Sequence, residues 1–204
     1  MGKFPNSIDG KIMKAIMAFA ANKNNVHTLL RSPLFYNNKI YVTDTCHGVV
    51  FPYDTNDMLD KDKIYTVENT LFSKILVSDE FYLSQDDCEL SESNGQKMFV
   101  HWSKNKEAND YDFFRDITDD CMAKSVVENL DAVFYDSNTE PPEPHPKIIG
   151  VPSNQLKQVA EYAAAIKAPN IGFGLRWRGS IGTYIYTFPR LNDSYVYVCG
   201  CIDK

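Results

Sequence analysis

The stretch KIIGVPSNQLKQVAEYAAAIKAPNIGFGLRWRGSIGTYIYTFPRLNDSYVYVCGC, residues 147–201, decides how this chain is read. Lys147-Ile148-Ile149-Gly150-Val151 is a short apolar strand. Pro152 and Ser153 open a helix that runs through Lys167. Proline suits the first helical turn, and Leu156, Val159, Ala160, Ala163 and Ile166 recur at helical spacing on the side expected to be buried. Pro169-Asn170 stops it. Three strands follow: Ile171–Trp177, Thr183–Phe188 and Ser194–Cys199. In the first, Ile171, Phe173, Leu175 and Trp177 alternate with Gly172, Gly174 and Arg176, which is the two-residue period of a strand. The module is therefore a strand, a helix and three strands.

The same order stands twice upstream, at a spacing of roughly 50–70 residues, a period that indicates stacked modules. In the first copy Asp9 caps a helix with Ile12, Ile16 and Phe19 on one side and Met13, Met17 and Ala20 beside them. Asn22-Lys23-Asn24-Asn25 ends it. Val26–Leu30 and Leu34–Tyr36 read as strands, and Asn37-Asn38 is a tight turn into Lys39–Thr43, followed by Val49–Phe51. In the second copy Ile64–Val67 is a strand and Glu68-Asn69-Thr70 caps a short helix, Leu71–Leu76. Strands Glu80–Ser84, Cys88–Ser91 and Lys97–Trp102 follow, with Ser93-Asn94-Gly95 as a hairpin turn. Between the second and third copies lie a charged stretch, Lys104–Asp120, and a helix with Met122, Val126, Leu130 and Val133 on one side. Glu140–Pro146 is a stiff Pro-rich connector.

The expected fold class is α+β, repeated strand-helix-three-strand modules with helices on one face of a curved antiparallel sheet. Sheet edges between such modules invite self-association. The expected division is 1–115 for two half-modules, 116–146 for an acidic helical insertion and connector, and 147–204 for a third half-module. Three modules are too few to close a ring from one chain.

The 204 residues carry 21 Lys+Arg against 27 Asp+Glu, a net charge of −6, which excludes a body coated in basic charge. Positive charge is local instead: Lys11, Lys14 and Lys23 are the only charges in and just after the first helix, while acids gather in Glu107–Asp120. No run approaches the ~20 apolar residues of a membrane helix. Met1–Asn6 lacks the apolar run of a signal peptide, and five scattered cysteines read as reduced thiols, so a cytoplasmic protein is expected.

Covalent chemistry finds little footing. Asp44, Cys46 and His47 stand close in sequence, but neighbouring strand residues point to opposite faces, so a thiol–imidazole pair does not follow. Cys199 and Cys201 share a strand face, yet a zinc site needs another spacing and a second pair. The four histidines show no ligand spacing, and Gly172–Ser180 lacks the Lys-Ser/Thr of a phosphate loop. No enzyme, no metal and no cofactor is expected.

The module pattern resembles the DNA sliding clamp of bacteria, the beta subunit of the replicative polymerase, in a divergent and shortened, phage-like or mobile-element-like form. Three passages carry the likeness: Asn37–Val50, which is similar to the family's Gly-rich turn, apolar strand and Ala-Thr-Asp-Gly-His-Arg-Leu; Tyr65–Trp102; and Ile149–Cys201, ending Tyr195-Val196-Tyr197-Val198-Cys199-Gly200-Cys201. Gly48 stands where the family has Arg, and Cys199-Gly200-Cys201 replaces Met-Pro-Met.

The resemblance implies a non-enzymatic processivity factor, an oligomer around duplex DNA with sequence-independent phosphate contacts. Lys11, Lys14, Lys23, Lys74, Lys157 and Lys167 would face the DNA. It also implies a groove for a short hydrophobic peptide of replication proteins, bordered by Thr45, His47, Gly48, Val49, Val198, Cys199 and Cys201. The alternative is a clamp-fold interaction module or inhibitor that binds replication proteins without encircling DNA.

Overall fold

Why three stretches of this chain are apolar without interruption is answered by the sheet they build. In Lys39–Thr43, His47–Pro52 and Tyr195–Cys199 nearly every residue is buried. Strands covered on one side alternate; these do not, because both of their faces are covered. The computed structural model describes residues 8–22, 24–55, 59–67, 80–84, 99–104, 107–135, 149–178, 181–188, 194–199 and 201–202.

The first unit is β1 (Ile8–Asp9), α1 (Gly10–Met17), β2 (Leu34–Tyr36), β3 (Lys39–Thr43) and β4 (His47–Pro52). The second is β5 (Tyr65–Val67), β6 (Glu80–Ser84), β7 (Phe99–Lys104) and β8 (Glu107–Asp116); its expected helix at 71–76 lies outside the described residues. Helix α2 (Cys121–Tyr135) follows. The third unit is β9 (Ile149–Gly150), α3 (Ser153–Ala165), β10 (Gly172–Arg178), β11 (Ile181–Thr187), β12 (Tyr195–Cys199) and β13 (Cys201–Ile202).

Among the described residues eleven strands form one sheet in the order β1-β6-β7-β8-β5-β2-β3-β4-β12-β11-β10, and β13-β9 stand apart as a pair. Units one and three meet where β4 pairs antiparallel with β12. Asn37 and Asn38, both at positive φ (45° and 56°), make the tight turn between β2 and β3, as the Asn-Asn pair predicts.

Alternation along the central strands feeds two cores. Ile40, Val42, Val49, Val196 and Val198 pack on one face with Met13, Ile16 and Met17 of α1 and Val159 and Tyr162 of α3. Tyr41, Val50, Tyr195 and Tyr197 pack on the other with Ala123, Val127 and Leu130 of α2. The described helices of the repeating units thus share one face, and the inserted helix covers the opposite one. Its anchoring is polar as well as apolar: the Tyr195 hydroxyl donates to the Leu130 carbonyl at 2.8 Å. Among the described residues no helix is long and apolar enough to cross a membrane.

Two expectations change. Val26–Leu30 is not a strand: the segment ends in a 3₁₀ turn, Thr28–Arg31. Asn25 Oδ1 accepts from the His27 N–H at 2.8 Å, and this local bond turns the chain before any strand partner is met. The charged stretch Lys104–Asp120 contains the ten-residue strand β8. It pairs with β7 along Glu107–Phe113 and with β5 along Phe114–Asp116. β8 therefore takes the place of the unit's last strand. The strand expected at Cys88–Ser91 and the turn at Ser93–Gly95 lie outside the described residues.

Candidate nucleic-acid interface and apolar cleft

The face that carries α1 and α3 is built by matching short helices to a shared core. Asp9 Oδ1 accepts the Lys11 N–H at 2.8 Å and starts α1. Burial of Met13, Ile16 and Met17 leaves Lys11 exposed and Lys14 half-buried on the outer side. In α3 the buried set is Val159, Tyr162 and Ala163, which turns Lys157 outward; Leu156 and Ala160, expected on the buried side, are exposed because the core against α1 is centred on the Val159–Tyr162 side of the helix. Tyr162 meets Phe188 edge-on, ring centroids 5.1 Å apart, and its hydroxyl shares a 2.7 Å hydrogen bond with Ser194. Burial pushes that phenol above its usual range. Gln158 Nε2 donates to the Ala18 carbonyl at 3.1 Å, tying the end of α1 to α3.

Lys11, Lys14 and Lys157 therefore stand on one surface, with Lys167 at its rim. Lys167 is held at φ 55° by a helix-ending motif in which the Ala168 N–H reaches the Ala163 carbonyl at 2.9 Å. Lys157 faces Glu161 at 3.6 Å, with both side chains largely in water, so the pair holds neither in place. Lys23 and Lys74 lie outside the described residues. The opposite face carries both signs: Asp62, Glu128 and Asp131 edge a second hollow beside α2 with Lys124 among them, Lys39 lies 3.6 Å from Asp131, and Lys63 lies 3.0 Å from Asp116.

The turn from Thr43 to His47 is fixed by its own side chains. Asp44 Oδ1 accepts from the N–H groups of Cys46 and His47, at 2.8 and 2.9 Å, and meets His47 Nδ1 at 2.8 Å. Burial pushes the Asp44 carboxyl up, but the hydrogen bonds and charge of His47 outweigh it and hold the carboxyl below its ordinary range. The Cys199 N–H donates to the Cys46 carbonyl at 2.9 Å, so the turn and the end of β12 are brought together. The peptide-groove residues are then divided by strand alternation. His47, Val49 and Val198 are buried, with Val49 and Val198 in the α1/α3 core and the His47 ring 5.4 Å from Phe19. Thr45 and Cys199 lie toward the α2 side, and the side chain of Cys201 is outside the described set. Gly48 is buried where a side chain has no room. A Cβ there would lie 2.4 Å from Tyr197 Cε1 and 2.7 Å from the Val42 carbonyl oxygen. The Tyr197 ring, whose hydroxyl bonds to Thr43 Oγ1, occupies that space.

On the α2 side a cleft of about 380 Å³ opens between the helix and the strand ends, walled by Leu30, Thr45, Met122, Val126, Leu130 and Tyr197. That volume is at the lower end for a ligand pocket and suits one or two apolar side chains. Thr45 is the one groove candidate on its wall. Sequence reasoning missed the rest, although the apolar stripe Met122-Val126-Leu130 was a signal that this helix covers something. Cys46 is exposed while His47 is buried, so the two do not form a nucleophile–base pair. Among the described residues no group of three or more His, Cys, Asp or Glu is placed to hold a metal ion.

No family model matches this sequence, and no curated protein matches it. Solved structures do. The DNA polymerase III beta subunit of Thermotoga maritima superposes with a TM-score of 0.54 at 12% identity, over 97% of this chain and 64% of that one. A putative DNA polymerase III beta subunit of Eubacterium rectale gives 0.49 at 12% identity, over 97% and 65%. This chain has the fold of the first of these and spans less than two thirds of its length.

Proposed function

We propose that this protein is a non-enzymatic, sliding-clamp-like accessory of DNA replication, a processivity factor that works as an oligomer around duplex DNA in the cytoplasm. The observation that carries this reading is a set of four lysines on one face of a clamp fold. Lys11, Lys14, Lys157 and Lys167 stand on the α1/α3 side, and the acids of the α2 region face away from it. Helices that present lysines to phosphates, without reaching into a groove, give contacts that carry no sequence information and let the protein slide. The three units described do not close a ring by themselves, and in this reading further copies supply the rest.

The cleft beside α2 supports the second half of the reading, capture of a short hydrophobic peptide from a replication protein. Thr45 and Tyr197 would form its floor, with Met122 and Val126 as its lip. It also favours the alternative, an interaction module that binds such proteins and no DNA.

Binding to unrelated duplexes of equal length separates the two. The proposal expects affinities alike within about twofold, and a log–log salt slope near −3.6 for four phosphate contacts, an affinity loss on the order of 100-fold between 50 and 200 mM salt. No binding at low salt would leave only the interaction module.

A further inference from the structure

Units one and two hold each other by a reciprocal exchange. The leading strand of each pairs with the second strand of the other: β1 with β6, and β5 with β2. On its other side β5 is held by its own unit's last strand, the end of β8. Unit three repeats half of this. Its leading strand β9 is held by β13, the continuation of its own last strand. Its second strand β10 pairs with β11 and, among the described residues, ends the sheet. The two positions through which units one and two grip each other, the outer edges of β9 and β10, are thus open in unit three among the described residues.

The surroundings of that edge are apolar. Phe173 is 75% exposed, and Ile171 just before the strand is 41% exposed. Phe173 lies opposite Tyr186, which packs in the α1/α3 core, so it points to that face. A Cβ on Gly174 would meet nothing within 4 Å. On α3, Leu156, Ala160 and Ala164 recur four residues apart and are all exposed, on the flank away from Gln158 and α1. An uncovered edge strand beside an apolar flank is a template for pairing.

We infer that unit three completes itself with unit three of a second copy of this chain, about a two-fold axis. The β9 strand of each copy adds to the β10 edge of the other, and the two α3 helices lie side by side over Phe173. A second copy is the fitting occupant because unit three carries both halves of the exchange, so two identical surfaces satisfy each other. The pattern is already drawn inside the chain. Where β1 joins β6, the helix that follows it, α1, packs onto β6; the same step brings the partner's α3 over Phe173. Main-chain pairing supplies affinity and the apolar side chains fix the register. This rests on strand pairing and holds whether or not the chain binds DNA.

Sedimentation equilibrium of the full chain should give twice the chain mass. Phe173→Glu should weaken the dimer at least about 100-fold, as loss of an interface anchor does, while the chain still folds, its far-ultraviolet circular dichroism unchanged. Val26→Glu, at an apolar residue 85% exposed in unit one, should leave the dimer intact. Should Phe173→Glu fail to fold, Ala160→Arg puts the same question from α3. Ala160→Cys should form a disulfide-linked dimer on mild oxidation that the unaltered chain does not, because a two-fold axis brings identical residues together. A monomer at the highest soluble concentration, a dimer indifferent to both Phe173→Glu and Ala160→Arg, or an assembly with an odd number of copies overturns the inference. A dimer without affinity for DNA leaves it standing and removes the proposed function instead.

Discussion

Gly48→Val should lower the melting midpoint by roughly 10 °C or leave no folded protein, because overpacking this seam costs about 3 kcal/mol or more. The position is the centre of the β4–β12 pairing, where Gly48 stands opposite Tyr197. A new Cβ would meet Tyr197 Cε1 at 2.4 Å, the Val42 carbonyl oxygen at 2.7 Å and Thr43 Cβ at 2.9 Å. The ring can swing, but the carbonyl belongs to the neighbouring strand and cannot move without opening β3 from β4. Valine adds two further methyls in the same space. Gly48→Ala should fall in between, and Tyr197→Leu in its background should restore only the part owed to the ring. With a total stability of about 5–15 kcal/mol for a domain, a loss of this size is decisive. Thermal unfolding followed by circular dichroism reads the order directly. A Gly48→Val protein that melts within about 2 °C of the parent, no more than the shift one kcal/mol produces in a chain of this size, would show that β4 and β12 do not pair as described.

Reversing four charges on the α1/α3 face should abolish duplex binding while leaving the fold untouched. Lys11, Lys157 and Lys167 are exposed and Lys14 is half-buried, so their replacement by Glu removes no core contact. Surface substitutions of this kind change stability by about 0.5 kcal/mol or less each. Each lysine that neutralises a phosphate releases a counterion, so the four alanine replacements should flatten the log–log salt slope by about 3.6. Glutamates add repulsion, and the expected loss at low salt is on the order of 1,000-fold or more. Lys124→Glu on α2, on the far face, should change affinity by less than about twofold, since contact charges and not net charge carry the effect. Glu161→Lys replaces an acid 3.6 Å from Lys157 by a cation, so it should tighten binding. Fluorescence anisotropy on a labelled duplex separates these variants. Equal losses from Lys124→Glu and from the α1/α3 lysines would mean that the duplex has no preferred face.

The repeating unit was legible because its signals are local. Asp9 as a cap, Asn37-Asn38 as a turn, Pro152-Ser153 as a helix start and Pro169-Asn170 as its stop act within a few residues. The three units could be placed from such marks. Layering was less legible. Ile40-Tyr41-Val42 and Val49-Val50-Phe51 are unbroken apolar runs, and that lack of alternation already requires cover on both faces. The helix with Met122, Val126 and Leu130 is what supplies the second cover. Charge misled at Glu107–Asp116, where Asp110 and Asp112 flank Tyr111 and the strand is made by pairing on both sides. Phe173 stands 75% exposed on the apolar face of its strand, because alternation assigns a face and does not say whether that face is covered. The groove residues come from the resemblance to the clamp family, which does not say which face of its strand each side chain takes. Alternation sends His47 and Gly48 to opposite faces, so only part of that group reaches the cleft. The lysines could be placed better, since helix spacing alone turns Lys11 and Lys157 outward once the buried residues are known.

Topological retention tests encirclement most directly. The protein is mixed with nicked circular duplex at low salt, the salt is raised, and the mixture is gel-filtered. Copies that have closed around the circle should elute with it at a salt concentration that strips them from the same DNA in linear form, and a single restriction cut should release them. Equal salt sensitivity on circular and linear DNA, or no binding to either, would contradict the account.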